Sequence, residues 1–316
     1  MSWEDRRVLV TGAAGVIGKA LVKRLVSLRA RVLSVDIVPR NGIDFAVEHI
    51  QTDLSRGDLA LVREFSPTAV FHLAATFEQT EEKPDFWESN FDNNVSASHR
   101  LFQALKHCSS VQVFLFASSY LAYNPELYLD VAGVRPLTEL DSIAPRNLVG
   151  LAKYFTEREL DFLGRTTGQF RTVSARIFRV YGCGSRDVIS RWIRSALRAE
   201  PIEVYGRNSR FDYVYADDVA EGLIKLGESP AANGVINLGS GIARAIADVV
   251  GILKEELKDL QVRDVARHGP TEGSCASMQR FRELTEWMPR ASLEDGIRNV
   301  IAYEKAKAVA GHGRQR

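Results

Sequence analysis

The sequence has few cysteines, no histidine cluster and no long apolar run, and each shortage excludes a class of protein. Its three cysteines, Cys108, Cys183 and Cys275, lie far apart without a CxxC pair, so neither a disulfide framework nor a cysteine zinc site is expected. The six histidines never fall at metal-ligand spacing, and we predict no bound metal. No apolar stretch approaches the roughly 20 residues of a membrane span, and the first residues lack the apolar core of a secretion signal. We therefore expect a cytoplasmic protein without a membrane partner.

Neither sign of charge is in excess. Lys and Arg number 41 against 40 Asp and Glu, a net charge of +1, so the overall balance predicts no nucleic-acid partner. The chain is 45% hydrophobic and 26% charged, which excludes wholesale disorder. Its 316 residues fit one large domain or two of roughly 100–200 residues each, and we expect two lobes.

The first half of the chain alternates short apolar runs with amphipathic stretches. The apolar runs are Val8–Val10, Val32–Val35, His49–Ile50, Val70–Leu73 and Val111–Phe116. Helical periodicity covers Val16–Leu28 and Phe86–Lys106. This alternation is typical of βαβ units, because strands buried on both faces are continuously apolar and the crossovers between them are helical. The pattern predicts an α/β fold with a doubly wound parallel sheet of the Rossmann type.

The alternation of apolar runs and amphipathic stretches is less regular in the second half of the chain. A helix is predicted over Arg146–Thr166 and a strand over Arg171–Phe178, followed by a short strand near 201–206. Further helices are predicted over Asp217–Gly227, Ile246–Leu257 and Leu293–Ala306, with an irregular tail between His268 and Leu293. No low-complexity linker separates the halves, so we expect the second lobe to be interwoven with the first.

A glycine-rich turn lies between the first predicted strand and the first predicted helix. Gly12, Gly15 and Gly18 lack side chains, so the backbone can turn tightly and approach a pyrophosphate, whose charge is favoured at a helix N-terminus. Asp36 ends the next strand 18 positions later, near the spacing expected of the acid that binds adenosine ribose. A carboxylate there repels a 2′-phosphate, so the pattern favours NAD over NADP. A tight turn without a ligand is the competing interpretation.

Eight short motifs occur in order along the chain: the turn at 11–18, Thr52–Leu54, His72–Ala75, Asn94-Val95, Ala117–Ser119, Arg176–Gly182, Tyr215–Val219 and Asn237–Gly241. Together they resemble the landmarks of extended short-chain dehydrogenase/reductases, and more narrowly of NAD-dependent nucleotide-sugar epimerases and dehydratases. The resemblance implies a Rossmann domain at 1–178 that holds NAD tightly. It also implies a smaller substrate-binding lobe at 179–316, of which 212–240 returns to the first domain, and it implies a homodimer that acts on a nucleoside-diphosphate sugar.

The resemblance also implies which residues contact NAD. They are Gly12, Ala14, Gly15, Val16, Ile17, Gly18, Asp36, Asp53, Leu54, Leu73, Ala74, Ala75, Asn94 and Lys153. Thr76, which follows them, is expected to face the substrate.

The catalytic pattern of the family breaks at one position. The family uses a Ser or Thr, a Tyr, and a Lys four residues after the Tyr, whose positive charge favours the phenolate. Ser119 and Lys153 match the first and third places, but the tyrosine place falls on Val149, which cannot carry a proton.

Three interpretations of this replacement remain open. Tyr120 could supply the missing phenol, since it follows Ser119 directly. Lys153 could itself be the base if burial lowers its pKa. The protein could also bind NAD and a ligand without turnover.

Standard 4,6-dehydration is disfavoured. Dehydratases of this family carry an Asp-Glu pair just after the Ser or Thr, where this chain has Tyr120 and Leu121. The loop acids Glu78, Glu81 and Glu82 would have to replace that pair, although they are more typical of a solvated loop face.

Several arginines follow in the second half of the chain. Arg179, Arg186, Arg191 and Arg210 are our candidates for the substrate diphosphate, because planar guanidinium groups suit bidentate phosphate contacts. Arg194 and Arg207 lie in the same stretch. The competing interpretation is that these arginines only balance nearby acids.

These patterns predict an NAD-dependent enzyme that acts on a nucleoside-diphosphate sugar. They favour epimerisation over dehydration or net oxidation. The main alternative is a catalytically silent NAD-binding regulatory protein of the same fold. A reductase of a small ketone that is not a sugar is a third hypothesis.

Overall fold

The computed structural model describes residues 2–39, 47–77, 82–130, 133–266 and 270–312. Its strands are β1 Arg7–Thr11, β2 Arg31–Asp36, β3 Glu48–Gln51, β4 Ala69–His72, β5 Val113–Ser119, β6 Arg171–Ile177, β7 Arg179–Tyr181, β8 Ile202–Tyr205, β9 Arg210–Tyr215, β10 Gly234–Leu238, β11 Ala243–Ala245, β12 Val262–Val265 and β13 Gly273–Ser274. Its helices are α1 Val16–Ser27, α2 Ala60–Glu64, α3 Pro84–Asn90, α4 Ala97–Leu105, α5 Leu148–Thr167, α6 Val188–Leu197, α7 Ala216–Glu228, α8 Ile246–Glu256, α9 Gln279–Thr285 and α10 Leu293–His312.

A seven-stranded sheet forms the larger part of the molecule. Its strand order is β10-β6-β5-β4-β1-β2-β3, and every neighbouring pair is parallel. The chain moves outward from β1 through β2 and β3, then returns to place β4 on the other side of β1. Open sheets of this kind bind ligands at the carboxyl ends of the strands where the order reverses. The predicted doubly wound parallel fold is confirmed.

The last strand of this sheet comes from the second half of the chain. Gly234–Leu238 forms β10 and pairs with β6, while α7 packs against α1. A segment within 212–240 therefore contributes to the first sheet, although the domain bounds 1–178 and 179–316 stay a prediction.

The smaller lobe has its own apolar core. Strand β9 pairs with β7, β11 and β13, and β8 pairs with β12. Side chains from β7, β8 and β9 and from α6, α8 and α10 form one buried cluster that includes Ile189, Trp192, Phe211 and Ile297.

The segments at 86–106 and between His268 and Leu293 differ from the sequence-based expectation. The stretch Phe86–Lys106 is not one regular helix, because a π-helical turn at Phe91–Ser96 joins α3 to α4. The tail predicted to be irregular contains β13 and α9. Helix α9 has seven residues and buries Phe281 among them, so its apolar period is too short to recognise. No helix within the described ranges is long and apolar enough to cross a bilayer.

Candidate active site

The glycine turn at the end of β1 leaves no space for side chains at two of its glycines. Gly12 has φ +69°, and a Cβ there would lie 2.6 Å from the backbone nitrogen of Ala74. A Cβ on Gly18 would lie 2.2 Å from the carbonyl oxygen of Gly12. Glycine is therefore required at both positions, as in the tight turn that brings a dinucleotide pyrophosphate to a helix N-terminus.

Asp36 lies beside this turn. Its Oδ2 accepts a hydrogen bond from the Ala14 amide at 2.8 Å, and its Oδ1 accepts one from the Val38 amide at 3.1 Å. The carboxylate at the end of β2 is thus fixed next to the start of α1, where the ribose of a bound dinucleotide is expected. Val16 and Ile17 begin α1, and Gly15 is its N-cap.

Asp53 and Leu54 follow β3. The backbone amide and hydroxyl of Ser55 donate to Asp53 at 2.9 and 2.7 Å, and these hydrogen bonds hold the pKa of the Asp53 carboxyl below its usual value. Leu54 is buried in the apolar core next to the sheet.

A buried histidine supports the loop after β4, which carries Leu73, Ala74 and Ala75. The Nδ1 of His72 lies 2.7 Å from Thr11 Oγ1 and its Nε2 lies 2.9 Å from Ser98 Oγ. Burial lowers the pKa of His72 to about 3, so the imidazole is neutral at physiological pH. His72 is therefore a support for the loop and not a proton carrier.

Asn94 fixes the same loop from the other side. Its Oδ1 accepts a hydrogen bond from the Thr76 amide at 2.7 Å, and its amide group donates to Asn90 Oδ1. Asn94 lies in the π-helical turn between α3 and α4. In this structure the side chain therefore positions Thr76.

Lys153 lies on α5 with its amine buried. Helix α5 begins at Leu148, and its N-cap Asn147 accepts a hydrogen bond from the Gly150 amide at 2.8 Å. The Nζ of Lys153 donates to the Ala117 carbonyl at 2.6 Å and lies 4.7 Å from the centre of the Phe116 ring. Burial lowers the pKa of Lys153 to about 8. The amine is thus able to carry or release a proton near neutral pH.

Val149 lies one helical turn before Lys153. It is buried and forms part of the apolar core. Residues four apart share one face of a helix, so the side chain that precedes Lys153 on this face has no titratable atom. A Cβ on Gly150 would lie 2.4 Å from the Leu121 carbonyl oxygen, so α5 packs directly on the segment after Ser119.

A buried ion pair lies one helical turn after Lys153 on α5. Glu157, one turn further along α5, accepts hydrogen bonds from Arg176 at 2.9 and 2.7 Å and one from the Ser118 hydroxyl. Arg176 also lies 4.6 Å from the centre of the Tyr123 ring, whose hydroxyl donates to Asn237. These contacts join α5 to β5, β6 and β10.

The Tyr120 hydroxyl is hydrogen-bonded to Glu272, which is not among the site residues expected from the sequence. Tyr120 stacks on Phe178 with ring centres 5.1 Å apart, and its hydroxyl donates to Glu272 Oε1 at 3.0 Å. Glu272 Oε2 accepts from Arg146 at 2.8 Å. Burial would raise the pKa of Glu272, but the charges of Arg179 and Arg146 outweigh it and hold the pKa below its usual value. The Tyr120 phenol therefore donates to an ionised carboxylate.

Ser119 ends β5 and caps the short turn that follows. Its Oγ accepts a hydrogen bond from the Leu121 amide at 3.2 Å. The hydroxyl proton of Ser119 can then be donated to a ligand oxygen.

The six arginines considered above for the substrate diphosphate differ in their contacts. Arg194 pairs with Glu304 at 2.9 Å, and Arg207 pairs with Asp264, as the competing interpretation predicted. The side chains of Arg186, Arg191 and Arg210 are exposed, and they form no ion pair within the described residues. They lie on the loop before α6, on α6 and at the start of β9. Arg179 begins β7, 4.2 Å from the centre of the Phe211 ring.

Two further groups are not placed to act as acids or nucleophiles. Glu82 accepts a hydrogen bond from the Leu148 amide at 2.8 Å, while Glu78 and Glu81 lie outside the described residues. Burial raises the pKa of the Cys183 thiol, which disfavours a thiolate nucleophile. Within the described ranges, no three His, Cys, Asp or Glu side chains form a metal-binding group.

The sequence profile of the NAD dependent epimerase/dehydratase family matches residues 8–239. The chain belongs to this family. Among its curated relatives, the UDP-glucose 4-epimerase of Mycolicibacterium smegmatis is 28% identical, with 96% of this chain and 99% of that protein aligned.

Solved structures of the same family share the fold over nearly the whole chain. The structure of MoeE5 in complex with UDP-glucose and NAD is 28% identical with a TM-score of 0.81, covering 96% of this chain and 99% of that one. The UDP-glucose 4-epimerase of Thermus thermophilus in complex with NAD is 26% identical with a TM-score of 0.83, covering 95% and 99%. Membership of this NAD-dependent family agrees with the glycine turn and with Asp36.

Proposed function

We propose that the protein is an NAD-dependent epimerase of nucleoside-diphosphate sugars, with UDP-sugars the first substrates to test. The observation that carries the proposal is the arrangement along one edge of the sheet. The glycine turn and Asp36 lie at the ends of β1 and β2, Ser119 ends β5, and the Lys153 amine on α5 contacts Ala117 of that strand. A dinucleotide held at the first pair would extend its redox-active ring toward the second. The names of the relatives support the same substrate class.

NAD would be held by the glycine turn, Asp36 and Lys153, and when bound it supplies a hydride acceptor that can also return the hydride. The protein itself must remove a proton from the sugar hydroxyl and later return it. We assign this to Lys153. With a pKa of about 8, roughly a tenth of the amine is neutral at pH 7 and able to accept a proton. Ser119 would orient the same hydroxyl by hydrogen bonding.

Two observations support Lys153 over the tyrosines. The Tyr120 hydroxyl already donates to the ionised Glu272 carboxylate. Tyr123 donates to Asn237, and its pKa is raised to about 12, mainly by burial. Both hydroxyls are therefore engaged within the protein.

Epimerisation fits the site better than dehydration does. Elimination of water from the sugar needs a further acid and base beside the reacting carbons. Tyr120 and Leu121 occupy the corresponding places, and Glu82 is hydrogen-bonded to the Leu148 amide. We propose that Arg186, Arg191 and Arg210 contact the diphosphate of the substrate, and that Arg179 and Thr76 lie nearer its sugar.

A catalytically silent NAD-binding protein is the second candidate. The observation that favours it is the hydrogen bond from Lys153 Nζ to the Ala117 carbonyl, which also stabilises a protonated, inactive amine.

The test is conversion of UDP-sugars by the purified protein with added NAD, followed by proton NMR. We expect interconversion of at least one epimer pair, lost in Lys153→Met and retained in Lys23→Met, which changes an exposed lysine. Binding of NAD and UDP-sugar without any conversion across the panel would favour the silent protein instead.

We also propose that the protein is a homodimer. Five large apolar side chains on α3, its π-helical extension and α5 are about half exposed or more: Trp87, Phe91, Leu151, Phe155 and Phe162. Helices α3 and α5 pack against each other, so these side chains lie on neighbouring elements, and exposed apolar groups of this kind mark interaction surfaces. Light scattering should give twice the chain mass, and Phe155→Glu should reduce it to one chain. A wild-type protein with the mass of a single chain would contradict the proposal.

A further inference from the structure

One buried carboxylate joins the smaller lobe to the edge of the sheet where the sugar is expected. Glu272 is 4% exposed, and its two oxygens contact side chains from three other parts of the chain. We name the Glu272 cluster by its members, Glu272, Tyr120, Arg146, Arg179 and Ser274. Ser274 donates to Oε1 at 2.9 Å, and Arg179 Nη2 lies 3.8 Å from Oε2.

The partners of Glu272 come from the positions that border the candidate catalytic groups. Tyr120 directly follows Ser119. Arg146 directly precedes Asn147, the N-cap of α5, and Arg179 begins β7 just after β6. All three positions lie at the carboxyl ends of parallel strands or at the start of the helix that carries Lys153, which is the ligand-binding edge of such a sheet.

The backbone of Glu272 is fixed from two sides. Its amide donates to Ser209 Oγ at 3.2 Å, and its carbonyl accepts from the Arg210 amide at 2.7 Å, at the start of β9. It also forms a β-bridge with Leu129, on the segment that follows Tyr120. The carboxylate therefore extends from a fixed backbone to the edge of the larger sheet.

The side chains around this carboxylate are not equally enclosed. Tyr120 and Glu272 are buried, while the side chains of Arg146 and Arg179 are 19% and 33% exposed. The hydrogen bond from Arg146 at 2.8 Å fixes the orientation of that guanidinium group, whereas Arg179, at 3.8 Å, is held near Glu272 by charge. Glu272 is thus placed to position two partly exposed cationic side chains.

We propose that Glu272 is a positioning residue for sugar recognition, fixing Tyr120, Arg146 and Arg179 as one wall of the sugar pocket. This inference rests on the proposed function, because it presumes a nucleotide sugar at that edge. It predicts that Glu272 contributes to the affinity for the sugar moiety and not to that for the nucleotide or for NAD.

The test compares the affinities of NAD-loaded protein for UDP and for UDP-glucose by calorimetry. In Glu272→Gln we expect affinity for UDP-glucose to fall about tenfold or more, with less than about a twofold change for UDP. An equal loss for both ligands would overturn the inference, because it would mean that Glu272 only ties the lobes together. No loss for either ligand would also overturn it.

Two further variants make the result specific. Glu304→Gln removes another buried carboxylate of the smaller lobe, paired with Arg194, and should leave the UDP-glucose to UDP affinity ratio unchanged. Tyr120→Phe removes one hydrogen bond of the cluster and should lower the ratio about threefold; if Glu272→Gln does not fold, an unchanged ratio in Tyr120→Phe overturns the inference. Because the readout is binding, a wild-type protein without turnover but with the expected ratios would contradict the proposed function and leave this inference standing.

Discussion

The two ends of the candidate site are built in different ways. At the nucleotide end, the glycine turn and the Asp36 carboxylate come from β1, α1 and β2, and the loop after β4 packs against Gly12. At the sugar end, side chains from distant parts of the chain converge, and Tyr120 meets Glu272 across 152 positions. The first end is fixed by local geometry. The second depends on how the two lobes pack, which allows its chemistry to change while the cofactor site stays the same.

The largest effect should come from the sugar end. Lys153→Met keeps the length of the side chain and removes the proton acceptor, so we expect the rate of sugar conversion to fall by roughly 10²–10⁴-fold. The measurement is turnover at saturating UDP-sugar and NAD. Activity within about tenfold of the wild type would show that another group accepts the proton.

The nucleotide end is tested by adding a single methyl group. Gly12→Ala would place a Cβ 2.6 Å from the Ala74 nitrogen at a positive φ, so we expect NAD affinity to fall at least about tenfold. Gly168→Ala is the matched control. Gly168 also has a positive φ but nothing within 4 Å of its Cβ, so it should cost only about 1 kcal/mol of unfolding free energy and leave NAD binding intact. Equal NAD affinities in the two variants would contradict the proposed position of the cofactor.

A smaller change is expected at Asp36. Asp36→Asn keeps an oxygen for the Ala14 amide but removes the charge that repels a 2′-phosphate. We expect the preference for NAD over NADP to fall about tenfold, which corresponds to about 1.4 kcal/mol. Calorimetry with both dinucleotides measures it. An unchanged preference would mean that the ribose does not lie beside this carboxylate.

The difference between the two ends of the site also determines how much of the structure could be predicted from the sequence. Strands β1, β4 and β5 are buried on both faces and appear as continuous apolar runs, and the glycine turn with Asp36 is a local pattern. The fold and the nucleotide end were therefore predictable. Helix α6 was missed although Asp187, its N-cap, precedes Ile189, Trp192 and Ile193 at helical spacing. That signal was present in the sequence.

No comparable sequence pattern indicates a function for Glu272. Its neighbours in the sequence have no clear period, and its contacts to Tyr120 and Arg146 depend on the packing of one lobe against the other. On sequence alone, Tyr120 is a candidate acid or base because it follows Ser119. Only the structure shows that its hydroxyl is already engaged with a carboxylate.

The pH dependence of kcat/KM for the UDP-sugar, measured for the wild type and for Tyr120→Phe, tests most directly whether Lys153 accepts the proton. The neutral amine is the active form, so kcat/KM should rise as pH increases through about 8 and level off above it, falling about tenfold per pH unit below. Tyr120→Phe should show the same curve, with a plateau within about threefold of the wild type. A curve that vanishes in Tyr120→Phe, or one that levels off far below pH 8 in the wild type, would contradict the assignment of Lys153 as the proton acceptor.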